Sequence, residues 1–238
     1  MILHKLLNMT LSKFFKPSLA LVIGLALIPA LSAPGANGVW TSTAGGSWTN
    51  SANWSGGVIA DGTGATADLS TLGLSADASV TLDGNRTIGT LLLGDTSDLH
   101  NWDLSAGSGG VLTMAVSSGT PTLTVNNQSV TIGVPLAGTS GLYKDGDGAV
   151  VFTGTNTYTG SVVITNGTVT YSGAAGNTGA GYVYVGHYSG RSVLNMNSSG
   201  TVTLGQSNNK IYVGGTQTSG GSSDTGAGVI NQTSGTLK

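Results

Sequence analysis

No cysteine occurs in the 238 residues, so neither a disulfide nor a thiolate metal site can hold this fold together. Glutamate is missing as well. All ten acidic residues are aspartates, which sit more comfortably in turns than in helix interiors. Charged residues make up 8% of the chain and the formal net charge is −2, so no basic surface is on offer to a phosphate backbone. That excludes nucleic-acid binding as a main function. A disordered chain of this polarity would carry high charge and few β-branched residues. Here Val, Ile, Thr and Tyr recur in short clusters between forty glycines, a composition suited to strands joined by tight turns.

The first residues read differently from the rest. Lys5, Lys13 and Lys16 precede the apolar stretch "SLALVIGLALIPALSAPGA", which closes in small residues. The run from Leu19 to Ile28 falls short of the about 20 residues that a membrane-spanning helix needs. Residues 1–36 therefore read as a secretory signal peptide, with cleavage between Ala33 and Ala36 and an uncleaved anchor as the alternative. No stable membrane span is expected after cleavage. The remainder carries ten Asp against three Lys and two Arg.

From Val39 onward the text predicts short strands bounded by turn residues. They fall at Val80–Leu82, Thr87–Leu93, Val111–Val116, Thr122–Val125, Val130–Ile132, Ala149–Thr153 and Val162–Thr165. The series continues at Thr168–Tyr171, Tyr182–Val185, Val193–Met196, Val202–Leu204, Ile211–Val213 and Val229–Gln232. Internal repetition separates a solenoid from a sandwich or a barrel. "YVGHYSGRSVLNMNSSGTV" (Tyr184–Val202) is echoed by "YVGGTQTSGGSSDTGAGVINQTSGTL" (Tyr212–Leu237), with the same ends and a longer middle. Strict strand-turn ends with elastic middles suit stacked rungs. A rung of about 20 residues offers too few inward aliphatic side chains to offset its own ordering entropy, so each needs neighbours above and below.

Leu142–Val169, "LYKDGDGAVVFTGTNTYTGSVVITNGTV", resembles the autotransporter-associated β-strand repeat of bacterial exported passengers. The matching positions are Lys144, Gly146, Gly148, Gly154, Asn156, Tyr158, Gly160, Gly167 and Thr168; Val169 stands where Leu is usual and Ser161 where Gly is usual. "VWTSTAGGSWTNSANWSGG" (Val39–Gly57) also looks like the opening of such proteins. The resemblance implies an all-β, right-handed parallel β-helix (β-solenoid) with short strands and Gly/Asn turns, exported and surface-displayed, with no catalytic residues. Physically, Gly146, Gly148, Gly160 and Gly167 suit turns at positive φ. Asn156 is placed to bond a turn backbone and to stack on an Asn of a neighbouring rung. Period two puts Val150, Phe152, Val162 and Ile164 inward, leaving Val151 and Val163 outward.

The expected organisation is a signal peptide over 1–36, a Trp-rich N-terminal cap over 37–60, irregular rungs over 61–141, the repeat over 142–169 and further repeats over 170–238. The last rung ends mid-repeat at Lys238, so the expectation is a fragment or truncated reading frame, with another element capping the sheet edge as the alternative. Trp40, Trp48, Trp54 and Trp102 suit a plug for the open solenoid end, or alternatively a sugar-stacking platform. "KDGDG" (Lys144–Gly148) lacks the ligand spacing of a calcium loop and reads as an Asp-Gly turn. His100 and His187 lie near no nucleophile motif, and the Asn-x-Ser/Thr triplets are what an Asn/Thr-rich chain gives by chance. No catalytic residue, metal or cofactor is expected. The expected function is a structural or adhesive surface module. Its partners would be a cell-surface or extracellular polysaccharide or protein, with lateral self-association through the outward valines. The competing reading is a carbohydrate-active β-helix, which would need clustered carboxylates.

Overall fold

The computed structural model describes residues 35–126, 128–173, 181–187, 190–202, 211–215 and 225–237. The signal-peptide expectation for residues 1–36 therefore falls almost wholly outside the described residues, as do Leu204 and the cleavage region before Gly35.

Short strands form three stacks. The first sheet contains β1 (Gly38–Val39), β3 (Thr66–Leu69), β6 (Thr90–Leu93), β9 (Thr122–Val125), β12 (Leu142–Asp145), β14 (Val162–Ile164), β16 (Val183–Val185) and β18 (Ile211–Val213), adjacent in that order. The second contains β2 (Gly46–Ser47), β4 (Ala78–Thr81), β7 (Trp102–Ser105), β10 (Ser129–Ile132), β13 (Ala149–Phe152), β15 (Gly167–Tyr171), β17 (Arg191–Val202) and β19 (Ala227–Leu237). A third, smaller sheet holds β5 (Arg86–Ile88), β8 (Leu112–Met114) and β11 (Leu136–Ala137). Every strand pair is parallel, and each strand pairs with the equivalent strand one circuit later. That is a β-solenoid: the chain visits one face, then the next, and returns one layer higher. No α-helix occurs among the described residues.

The parallel register turns alternating sequence into columns. Along the first sheet Ala67, Leu91, Leu123, Lys144, Ile164 and Val185 stack inward, each the register partner of the next. Along the second, Val80, Leu104, Ile132, Phe152, Tyr171 and Met196 do the same. All of these are buried. The inward assignment of Val150, Phe152, Val162 and Ile164 matches the structure, and Val151 and Val163 point outward. Parallel strands demand burial on the inner face, and the β-branched and aliphatic choice at these positions supplies it.

Asparagines tie one layer to the next at the corners. The side-chain carbonyl of Asn37 accepts from the Thr66 amide at 2.8 Å, Asn85 from Val111 at 3.1 Å, Asn101 from Ser129 at 3.0 Å, and Asn166 from Arg191 at 3.3 Å. At corners the backbone leaves the ladder, and these amides satisfy donors that would otherwise be orphaned. Asn156 bonds backbone as expected: its Oδ1 accepts from the Leu136 amide of the preceding layer at 3.0 Å.

The sequence-predicted Thr87–Leu93 strand is two strands, β5 and β6, broken at Gly89 where the chain turns between faces. A Cβ at Gly89 would come within 2.7 Å of Gly64 Cα, so only glycine lets the two layers close there. Of the four repeat glycines, Gly146, Gly160 and Gly167 have positive φ (79°, 98° and 71°) and Gly148 does not. Gly148 is buried where β13 begins, and its carbonyl accepts a side-chain hydrogen bond.

Candidate functional site

Lys144 occupies a position in the interior column that every neighbour fills with an apolar side chain. It is 1% exposed, and its ammonium donates to the carbonyls of Gly146 (2.6 Å), Gly148 (3.0 Å) and Asn166 (3.0 Å). Burial pushes it down to about 8, against the opposing pull of Asp145 and Asp147. Three donors meet three acceptors, so the lysine clamps the "KDGDG" turn to the next layer. The turn carbonyls that a cation would need face the ammonium instead. Asp145 is likewise engaged, accepting from Thr165 Oγ1 at 2.9 Å and Asn166 Nδ2 at 3.3 Å. This is a structural joint.

The tryptophans are equally interior. Trp40, Trp48, Trp54 and Trp102 are at most 2% exposed. Trp54 meets Trp40 and Trp48 edge-on, with ring centroids 5.0 Å apart in both pairs. Each indole N–H is satisfied by a carbonyl: Ser42, Ala60, Trp48 and Gly94 in turn. No tryptophan face is free to stack a sugar, which removes that alternative. The chain also folds back here, with antiparallel bridges Ala36–Asp61 and Trp40–Trp54 beside β1.

His100 and His187 are not brought together. His100 lies 3.8 Å from Asp77 in the turn before β7, and His187 follows β16 on the first sheet. A shallow cleft at β7 and β10 is lined by Asp77, Asn101, Asp103, Ser129, Thr131 and the 2%-exposed Trp102, with no lysine or arginine. Its carboxylates are used in hydrogen bonds to the Asn101 amide (2.8 Å) and the Ser79 hydroxyl (3.0 Å).

The outer faces differ from each other, and this distinction is invisible before the register is known. On the second sheet the outward column runs Ser79, Asp103, Thr131, Val151, Thr170, Asn195, Asn231. Its upper end is an amide ladder: Asn231 Nδ2 donates to Asn195 Oδ1 at 2.9 Å, and Asn195 Nδ2 to Thr170 Oγ1 at 3.3 Å. On the first sheet the column runs Thr66, Thr90, Thr122, then Tyr143, Val163, Tyr184, Tyr212. Halfway along, threonine gives way to large rings. Tyr184 and Tyr212 stack at 5.0 Å with their planes 10° apart, Tyr182 leans against both at 6.2 and 6.0 Å, and His187 meets Tyr184 edge-on at 4.9 Å. Tyr182 is 39% exposed. Burial and the neighbouring phenols Tyr212 and Tyr182 push the Tyr184 hydroxyl up. The twice-occurring Tyr-Val-Gly at 184 and 212 is the sequence signal for this cluster. It reads there as a repeat boundary, and only the parallel register shows that it places two rings on one outward strip.

Fold and register define a parallel β-solenoid, and comparison with known proteins finds likenesses to passenger proteins. Residues 142–170 match the family described as Passenger-associated-transport-repeat. The chain is 33% identical over 131 residues to a protein named "Adhesin BmaC autotransporter" from Brucella suis biovar 1 (strain 1330). That match covers 55% of this chain and 4% of the relative, so the chain spans a small fraction of the length of the protein it resembles. No solved structure matches.

Proposed function

We propose that this chain is an exported, surface-displayed adhesive module of a bacterium, a passenger-type solenoid that binds without catalysing a reaction. The observation that carries the reading is the conjunction of a Passenger-associated-transport-repeat at 142–170 with an adhesin relative over 131 residues. Residues 1–36 act as the export signal, residues 37–60 cap the first layer with three buried tryptophans, and the layers beyond display the binding faces. Adhesion needs a long, stiff, chemically varied surface, which stacked layers supply cheaply in sequence terms. A non-catalytic role is supported by the aspartates, which are spent on turns and corners. Asp61 pairs with Arg86 at 2.7 Å, and Asp95 accepts from the amides of Leu74, Leu99 and His100.

The test is retention of bacteria displaying the chain on surfaces coated with polysaccharides or host matrix proteins, against bacteria displaying Ile164→Asp. Retention well above the variant on at least one coat is the expected result. Equal retention on every coat contradicts adhesion, and release of reducing ends from any soluble polysaccharide contradicts the non-catalytic part.

A further inference from the structure

We infer that the aromatic half of the first sheet's outer column is a binding strip for an uncharged polysaccharide, held by Tyr182, Tyr184 and Tyr212. This rests on the adhesive reading and names its ligand class and site.

Three observations point to this ligand. First, the strip is built in register. Tyr143, Val163, Tyr184 and Tyr212 occupy one column on successive parallel strands, so they repeat at about 4.8 Å along the solenoid axis. A linear glycan lying along that axis advances by a similar step per pyranose ring, so successive sugars meet successive layers.

Second, the chemistry suits a polyol. Tyr182, Tyr184 and Tyr212 sit within 6.2 Å of one another, ring to ring, which gathers three phenol groups into one patch. A phenol offers an apolar ring for the C–H face of a sugar and a hydroxyl that both donates and accepts. Tyr184 and Tyr212 lie face to face, so they present ring edges rather than faces to a ligand. Tyr182, tilted 52° and 48° to them, is the exposed ring against which a sugar stacks.

Third, charge decides between ligands. Among the described residues β14, β16 and β18 contribute only Val, Ile and Tyr, and the charge that β12 adds beside Tyr143 is the carboxylate of Asp145, so the strip offers no cation to hold an anionic polymer. A protein hot spot would seat its aromatic anchor in a fully desolvated pocket, whereas Tyr182 stands 39% exposed on an open sheet face. The polar column of the second sheet is less suited, because its Asn195 and Asn231 amides are already bonded to each other.

The experiment is native affinity electrophoresis of the full chain through gels cast with neutral polysaccharides (hydroxyethylcellulose, mannan, xyloglucan, dextran), with alginate and dextran sulfate as anionic counterparts. At least one neutral polymer is expected to retard the chain and the anionic ones to leave it unretarded. Tyr182→Ala and Tyr212→Ala should each weaken that retardation about tenfold, while Tyr182→Phe, which keeps the ring, loses less. Tyr182 lies in the turn before β16, and circular dichroism establishes that its variants keep the β-fold. Four results would overturn the inference: no retardation by any neutral polymer, retardation by anionic polymers alone, retardation that both alanine variants preserve, or loss of protein-coat binding alone in those variants. If displayed cells still adhere while no neutral glycan binds, the adhesive function stands and only this assignment falls.

Discussion

Tyr158 and Tyr171 show how a single residue type can serve two purposes in this chain. Both are buried, and their hydroxyls bond each other inside the solenoid while Tyr171 stacks on Phe152 at 5.4 Å. Burial pushes both phenols well above their ordinary value. A folded value above the unfolded one means that this stability is fully present below about pH 10 and is lost as pH rises from there towards the folded values. The melting temperature should therefore fall steeply above about pH 10, and less steeply in the Tyr158→Phe/Tyr171→Phe variant. Parallel profiles for the two proteins would show that the buried pair does not govern alkaline stability. The sequence could mark Tyr158 as a repeat position but could not distinguish it from Tyr184. The first lies on an inward position and the second on an outward one, and that difference needs the corner geometry. Lys144 was legible as a motif residue only. A lysine in an interior column is intelligible once three backbone carbonyls are seen to receive its ammonium.

Strands were easiest to read where both sides of the pleat are β-branched or aliphatic. Thr122–Val125 and Ile211–Val213 were legible to the residue, and Ala149–Thr153 and Val162–Thr165 to within one. β3 ("TADL"), β7 ("WDLS") and β12 ("LYKD") were not, because a charged residue interrupts the apolar run. In β3 and β7 the charge faces outward and Leu69, Trp102 and Leu104 face inward, so the strand is intact while the text looks broken. At this scale the inward face can be tested. Ile164 is fully buried between Lys144 and Val185 in its column. Ile164→Asp should unfold the middle layers, because an unpaired carboxylate there has no partner to offset its desolvation. Unchanged circular dichroism and melting would contradict the face assignment.

Across the whole molecule, function follows from layering. Each layer contributes one residue to every column, so a two-sided strand becomes a buried core column and an outward surface column at once. The repeat at 142–169 made the layered fold legible, since its period, glycines and alternation all survive in one stretch of text. The surface was less legible, because a column gathers residues that lie from 19 (Val151 to Thr170) to 36 (Asn195 to Asn231) positions apart, and middles of variable length hide the alignment. The measurement that tests the layering most directly uses the absence of native cysteine. Spin labels on Ser79→Cys paired with Thr170→Cys, and on Ser79→Cys paired with Asn231→Cys, lie four and six layers apart in one outward column. Electron–electron distance spectroscopy should give narrow distributions near about 19 and 29 Å, rising in proportion to the number of layers at about 4.8 Å each. Broad distributions, or a second distance no longer than the first, would mean that the chain does not climb layer upon layer.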